Sequence, residues 1–518
     1  MTEPIATTIY GKVRPKIKDN GILEFRGIPY AQSTGGDRRF LPAAPPQAWG
    51  RTFDATAYGP ACPQAAMENT AIVQNEDCLR INVWTPGLDA NARRSVMVWL
   101  HGGAFRSGSA AGPMTNGTTL SRDGDVVVVS LNHRLNLFGF LYLKELCSEL
   151  SGEPCAASGN AGMLDIVFAL EWIRDNIEQF GGDPSNVTVF GESGGGRKVS
   201  MLLGMPAAKG LFHRGIIESG AHPRGVPAQL AHRFAQGLFE WLGLTPGDLP
   251  ALQNIPADDL FRETAGYIST AKDAQIPGGL GGRWMMLSPV VDGTFLPAHP
   301  FDPASPIGQD IPFIIGTNKD EMALFYAGEE NAGNITEEKL IERLQPVLGE
   351  RTQAVIDIHR RNRPQETPWD LLVSIASEDR RLLSIETAER RCESGGAPVY
   401  MYLFCWESDF GLLKAAHGME IPFAFNNVHR SPMTGSRQDR FELARTMSQT
   451  WIAFARSGNP NHEGLPDWKP YDPVNRATMI FDQPCKLEND PRSEERKAWH
   501  GLQVPLPWEG RAFAGSGI

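Results

Sequence analysis

No stretch of about 18 consecutive apolar residues occurs in the 518-residue sequence, so nothing in it reads as a transmembrane helix. An excess of positive charge is also lacking. Lys and Arg number 49 against 60 Asp and Glu, and the net −11 excludes the basic surface that a nucleic-acid partner needs. Cysteine is sparse: seven residues, at 62, 78, 147, 155, 392, 405 and 485, without Cys-x-x-Cys spacing, so neither a zinc site nor thioredoxin-type chemistry is expected. The opening MTEPIATTIYGKVRPKIKDN has no basic segment followed by an apolar one; it reads as no secretory leader, and a cytoplasmic protein is expected. Internal repeats, low-complexity tracts and dividing linkers are absent too.

What is present is a series of short apolar runs. INVWTP (81–86), SVMVWL (95–100), DVVVVSLNH (125–133), NVTVF (186–190), RGIIES (214–219), IPFIIGTN (311–318) and PVYMYLFCW (398–406) are nearly continuous in hydrophobicity. Strands of a mostly parallel sheet look like this when helices cover both faces. Helical patterns lie between them, most clearly at 160–180 and at 440–458, where Gly458 is placed as a stop. The alternation predicts an α/β fold in one domain spanning 1–518, with helical insertions at about 223–310 and 320–397 lying over one end of the sheet.

The run VTVF ends in Gly191-Glu192-Ser193-Gly194-Gly195-Gly196. A flexible Gly/Ser turn is the ordinary explanation of such a cluster. A strand before it and a helix after it favour another: a sharp elbow that lifts the Ser193 hydroxyl above the sheet edge and needs small neighbours to close. The helix that follows points its first amides at the same spot. SVMVWL likewise runs into His101-Gly102-Gly103-Ala104-Phe105, where small residues let backbone N–H groups approach a carbonyl oxygen and complete an oxyanion hole with Gly194. A serine hydroxyl also needs a base, and the base an acid to orient it. Asp320 and Glu321 end the strand IPFIIGTN, and His417 sits in the loop after PVYMYLFCW, so the order serine, acid, histidine is met. The pattern does not separate Asp320 from Glu321, and His213, His222, His299 and His429 are rivals to His417.

The chain resembles the type-B carboxylesterases, the family of the cholinesterases, mammalian carboxylesterases and bacterial p-nitrobenzyl esterases. The resemblance rests on FRGIPYA (25–31), NEDCLRINVWTP (75–86), HGGAF (101–105), NHRLNLFGFL (132–141), GNAGMLDIVFALEW (159–172), FGGDPSNVTVFGESGGG (180–196), SPVVDGTFLP (288–297), GTNKDE (316–321), HGMEIPFAF (417–425) and FARSGNPN (454–461). It implies an α/β-hydrolase fold and a serine carboxylesterase working through an acyl-enzyme. Ser193 would be the nucleophile, Glu321 the acid and His417 the base, with oxyanion donors on Gly103, Ala104 and Gly194. It further implies ion pairs Arg39–Glu76 and Arg134–Asp165, Cys62–Cys78 as the family's first disulfide, and Glu192 lining the gorge. Oxidised, that loop would contribute roughly 3 kcal/mol; in a cytoplasm the thiols stay reduced.

Three departures from the family pattern stand near the serine. Gly194 replaces the usual alanine, keeping the amide but loosening the turn. Arg197-Lys198 replaces small residues, and Arg106 follows HGGAF where an aromatic is common. The ordinary reading of these cations is partnered or solvated side chains; the alternative is that Arg106 or Arg197 makes the pocket favour polar or anionic esters. The expected partner is a small-molecule ester, acted on by a monomer or homodimer that needs no cofactor. Trp284, Met285, Met286 and Phe325 are candidate pocket walls and equally candidate core residues. The alternatives are amide or carbamate hydrolysis on the same triad, a lipase acting at lipid surfaces, and a non-catalytic adhesion protein like the neuroligins, which would lack the nucleophile.

Overall fold

A computed structural model describes residues 4–65, 73–147, 154–271 and 279–502. Seven parallel strands form the centre of a 13-stranded sheet, in the spatial order Val127–Leu131, Arg94–Leu100, Gly182–Glu192, Arg214–Glu218, Phe313–Asn318, Val399–Phe404 and Ala477–Phe481. Antiparallel strands flank them. Arg80–Thr85, Leu23–Pro29, Gly11–Ile17 and Ala6–Thr8 extend one side, with Phe53–Ala55 paired parallel to Gly11–Ile17 off this path, and Lys486–Asn489 closes the other. All seven expected apolar runs are strands. Gly11–Ile17 went unread because it is partly exposed and has no continuous apolar run, whereas the buried run Ala477–Phe481 was simply not singled out.

Side chains of successive strand residues point to opposite faces, and here both faces are covered. Val96, Val98 and Leu100 enter one buried cluster while Met97 and Trp99 enter the other. Val127 and Val129 divide from Val126 and Val128 in the same way. Trp99 meets Phe190 and Phe425 edge-on, each with centroids 5.1 Å apart, which locks the second layer against the sheet.

The stretch between Arg214–Glu218 and Phe313–Asn318 holds helices Ala228–Leu242, Leu249–Asn254, Ala257–Thr270 and Gly279–Met285; its residues 272–278 lie outside the described ones. The stretch before Val399 is helical too, ending in the 26-residue Pro368–Glu393. That helix starts sharply because Thr367 Oγ1 accepts from the Asp370 amide while Asp370 Oδ2 accepts from the Thr367 amide, with Pro368 at the first helical position. Helix Arg440–Ser457 stops as foreseen, at Gly458 with φ +78°.

Two buried ion pairs tie the N-terminal loops to the core. Arg39 binds Glu76 through Nε and Nη2 at 2.6 and 2.7 Å. Arg134 binds Asp165 through the same atoms at 2.8 and 2.6 Å. The fork geometry matches a carboxylate with two parallel bonds, which is why arginine serves here. Cys62 and Cys78, the pair that the family resemblance joins, are both buried and lie beside one another. Cys62 Sγ accepts from the Leu135 amide at 3.3 Å, and the hydrogen bond with Cys62, followed by burial, drives the Cys78 thiol well above its ordinary value.

Candidate active site

Parallel strands end side by side, and their C-terminal ends deliver the chemistry to one crevice. Leu100 leads into His101–Phe105, Glu192 into Ser193, Glu218 into Ser219, and Asn318 into Glu321. Ser193 is held at φ +54° and ψ −117°, a conformation costing on the order of 1–3 kcal/mol in a non-glycine residue. Its amide donates to Glu218 O at 2.8 Å and its carbonyl accepts from Arg197 N at 2.9 Å, so strand and helix both clamp the turn. A Cβ on Gly195 would lie 2.0 Å from Leu100 O, which is why the elbow closes only with glycine there.

The amides of Gly103 and Ala104 donate to nothing among the described residues, and Gly194, first in helix Gly194–Leu202, has no intrahelical acceptor. Gly102, one step outside, packs on Glu192 and on Ser193 Cβ. Three unspent donors therefore surround the serine.

Glu321 is wholly buried, and Oε2 is hydrogen-bonded to His417 Nδ1. Its Oε1 accepts from Ser219 Oγ at 2.6 Å and from the Asn318 amide at 2.8 Å. Burial works against the charge, but His417, Arg380 (Nε 4.0 Å away) and Ser219 hold the carboxyl below its usual range. Asp320 turns away, accepting from the Ala415 amide at 3.3 Å with Lys319 Nζ at 3.6 Å, and this separates the two candidate acids. The rival histidines are engaged elsewhere. His213 accepts from Val187 N at 3.1 Å and His299 from Gly225 N at 3.2 Å; His222 packs 6.2 Å from the Phe105 ring, and His429 accepts from Arg430 Nε at 3.3 Å.

His417 Nε2 faces Glu192 Oε1 at 3.2 Å, while Ser193 Oγ makes no hydrogen bond among the described residues. Glu192 is 4% exposed, so its carboxyl abuts the imidazole rather than an open gorge. Burial first, then the carboxyls of Glu420, Glu321 and Glu218, push its pKa well above the usual carboxylate range. Burial also lowers the His417 pKa; Glu321 opposes this, and Arg380 and Arg197 add to it.

Ser219, Asn318 and Glu420 are site residues that sequence reasoning missed. Glu420 accepts from Ser219 Oγ at 3.1 Å and from Asn318 Nδ2, forming a floor under Glu321. No spacing signals them, because three separate strand ends and loops supply them. Of the candidate walls, Phe325 stands 5.4 Å from the His417 ring, and Trp284 and Met285 line a small cavity with Ala104, Phe105, Arg106, Leu287 and Ser288. Met286, 1% exposed, belongs to the core.

Among the described residues no helix is long and apolar enough to cross a membrane. Compared with known proteins, the chain is 36% identical over 515 residues to the para-nitrobenzyl esterase of Bacillus subtilis (strain 168), spanning 96% of this chain and 98% of the relative. It is 32% identical over 523 residues to the cocaine esterase of Homo sapiens, spanning 93% and 88%. The solved carboxylesterase of Geobacillus stearothermophilus superposes with a TM-score of 0.80 at 35% identity, covering 96% of this chain and 99% of that one. Likeness of this extent runs from end to end of the fold rather than through one motif. Residues 2–499 match the carboxylesterase family, and the chain therefore belongs to that family, a carboxylic ester hydrolase of the α/β-hydrolase fold.

Proposed function

We propose that Ser193 is the nucleophile, His417 the general base and Glu321 the carboxylate that orients it, with the amides of Gly103, Ala104 and Gly194 as the oxyanion hole. The observation that carries this reading is the buried Glu321–His417 hydrogen bond, set against the residue that precedes a strained serine. As the ester enters, Ser193 Oγ attacks its carbonyl carbon and the hydroxyl proton passes to His417 Nε2. The oxyanion is held by the three amides, the alcohol departs with the proton from His417, and a water activated by the same ring releases the acid. Hydrogen bonds of this kind are often loose before substrate arrives. A rapid-mix time course with p-nitrophenyl butyrate tests the scheme: a burst of nitrophenol near one equivalent marks the acyl-enzyme, and no nitrophenol release at all would count against it.

The base must be neutral to accept the proton. Since burial lowers its pKa, kcat/KM should persist as pH falls past about 6.5, the ordinary imidazole value, and decline only below it. A profile from pH 4.5 to 8 checks this, and an acid limb centred above 6.5 would argue against His417 as a buried base.

A second reading concerns the substrate. Arg106 lies over the Trp284 ring at 5.4 Å, and Arg197 Nη1 bonds Met285 Sδ at 3.4 Å. Neither makes an ion pair among the described residues, yet both touch the segment lining the cavity beside Ala104. Burial lowers the pKa of both, that of Arg197 to about 10 with Arg380 contributing. Cations left half-buried without a carboxylate favour an ester that brings its own. Arg106→Ala should lower the kcat/KM ratio of p-nitrophenyl hemisuccinate to p-nitrophenyl butyrate about tenfold, the worth of one charge-assisted hydrogen bond. An unchanged ratio in both Arg106→Ala and Arg197→Met removes the reading.

The whole chain is read as one domain, a monomer or homodimer, working in a reducing compartment without a nucleic-acid partner. Light scattering decides the assembly, and a thiol count on the protein as isolated decides the compartment.

A further inference from the structure

We propose that Lys198 is a positioning residue for the oxyanion hole: its ammonium, buried under the loop that follows strand Arg94–Leu100, ties that loop to the helix carrying the third donor. The proposal rests on the assignment of Gly103, Ala104 and Gly194 as the oxyanion donors.

Lys198 lies one turn into helix Gly194–Leu202 and is 0% exposed. Its Nζ donates to His101 O at 2.9 Å and to Ala104 O at 3.0 Å, and it makes no ion pair among the described residues. A buried lysine without a carboxylate is costly, so its two acceptors must repay much of that cost. Those acceptors belong to the peptide groups on either side of the two that carry the Gly103 and Ala104 amides. The carbonyls between them are fixed by other means. Gly102 O is bonded to His101 Nδ1 at 2.9 Å, and Gly103 O accepts from Arg106 N at 3.1 Å and Ser107 N at 3.0 Å. In a planar trans peptide the N–H points opposite to the C=O. Pinning the carbonyls of Gly102 and Gly103 therefore aims the N–H groups of Gly103 and Ala104 the other way. Lys198 holds both ends of that short arch to the helix whose first amide is Gly194. All three donors become parts of one rigid body.

Gly194 fits the same device. A Cβ at 194 would lie 2.1 Å from Ala104 O and 2.4 Å from Ala104 N. The space that a methyl would occupy is filled by the Ala104 peptide, whose carbonyl continues to Lys198. Gly194 and Lys198 are two halves of one arrangement: the first lets the loop approach, the second holds it there. The other groups around the ammonium leave it no competing partner. His101 and His133 stack at 5.0 Å, both depressed by burial and by Lys198 itself, and the Phe105 ring lies 5.6 Å from Nζ. Burial and Arg197 lower the Lys198 pKa to about 7, and both protonation states carry the two N–H groups that the carbonyls require.

Preorganised donors matter most in the transition state, and losing one oxyanion donor typically costs on the order of 10²–10³ in turnover. Lys198→Met keeps the length and removes the donors. It should lower kcat for p-nitrophenyl butyrate about 100-fold with KM within about threefold. The decisive probe is an aryl trifluoromethyl ketone, to whose carbonyl carbon Ser193 Oγ adds, the serine proton passing to His417 and the carbonyl oxygen becoming the oxyanion. Its affinity should fall by the same factor as kcat. Lys198→Gln, whose NH₂ is one atom nearer the backbone and cannot span both carbonyls, should fall between the two and serves as the test if the methionine variant does not fold. Tight ketone binding by the parent and by a folded variant alike overturns the role of Lys198. A variant that loses KM and kcat together has lost structure, which overturns it as well. Weak ketone binding by the parent itself instead overturns the oxyanion assignment.

Discussion

Ser193→Ala is expected to lower kcat for p-nitrophenyl butyrate by on the order of 10⁶, with the protein still folded. The size follows from what remains when the hydroxyl goes. The amides around the crevice and the Glu321–His417 pair stay in place, but no covalent intermediate forms, and water must attack an ester from a site built for a side chain. The turn itself should tolerate the change. Its clamps are backbone bonds, Ser193 N to Glu218 O and Arg197 N to Ser193 O, and the hydroxyl makes no hydrogen bond among the described residues. Melting temperature should therefore move by only a few degrees. The measurement is the nitrophenol time course of both proteins at matched concentration. Release by the alanine variant within tenfold of the parent would mean that another group performs the attack.

Glu321→Gln should cost about 10⁴ in kcat, and the hydrogen-bond geometry says why. Glu321 Oε1 accepts two bonds, from Ser219 Oγ and from the Asn318 amide, so that position demands an oxygen. A glutamine must place its carbonyl there and turn its NH₂ toward His417 Nδ1. A ring that accepts at Nδ1 carries its proton on Nε2, and Nε2–H cannot take the serine proton. The variant keeps volume and burial yet fixes the wrong tautomer, so KM should hardly change while kcat collapses. Loss of the carboxylate also removes the charge that favours the imidazolium formed during attack. A drop smaller than about tenfold in a folded variant would displace Glu321 from the triad.

Much of this protein was legible before folding. Apolar runs bounded by glycine-rich ends determine the central strands, because a strand covered on both faces has no place for polar side chains. VTVF running into GESGGG, and SVMVWL running into HGGAF, marked the elbow and its companion loop, since both are local backbone constraints that only small residues satisfy. Other features could be decided only in three dimensions. Asp320 and Glu321 are equivalent in sequence. The strand end turns one toward Lys319 and the Ala415 amide and the other under His417, a difference of direction that no composition encodes. Ser219, Asn318 and Glu420 come from three distant segments that meet only because parallel strands end at one edge of the sheet. Lys198 and Gly194 stand in sequence as two unrelated departures. Only the packing of the Ala104 peptide against the helix makes them one feature, because a buried ammonium is defined by the carbonyls that fold around it.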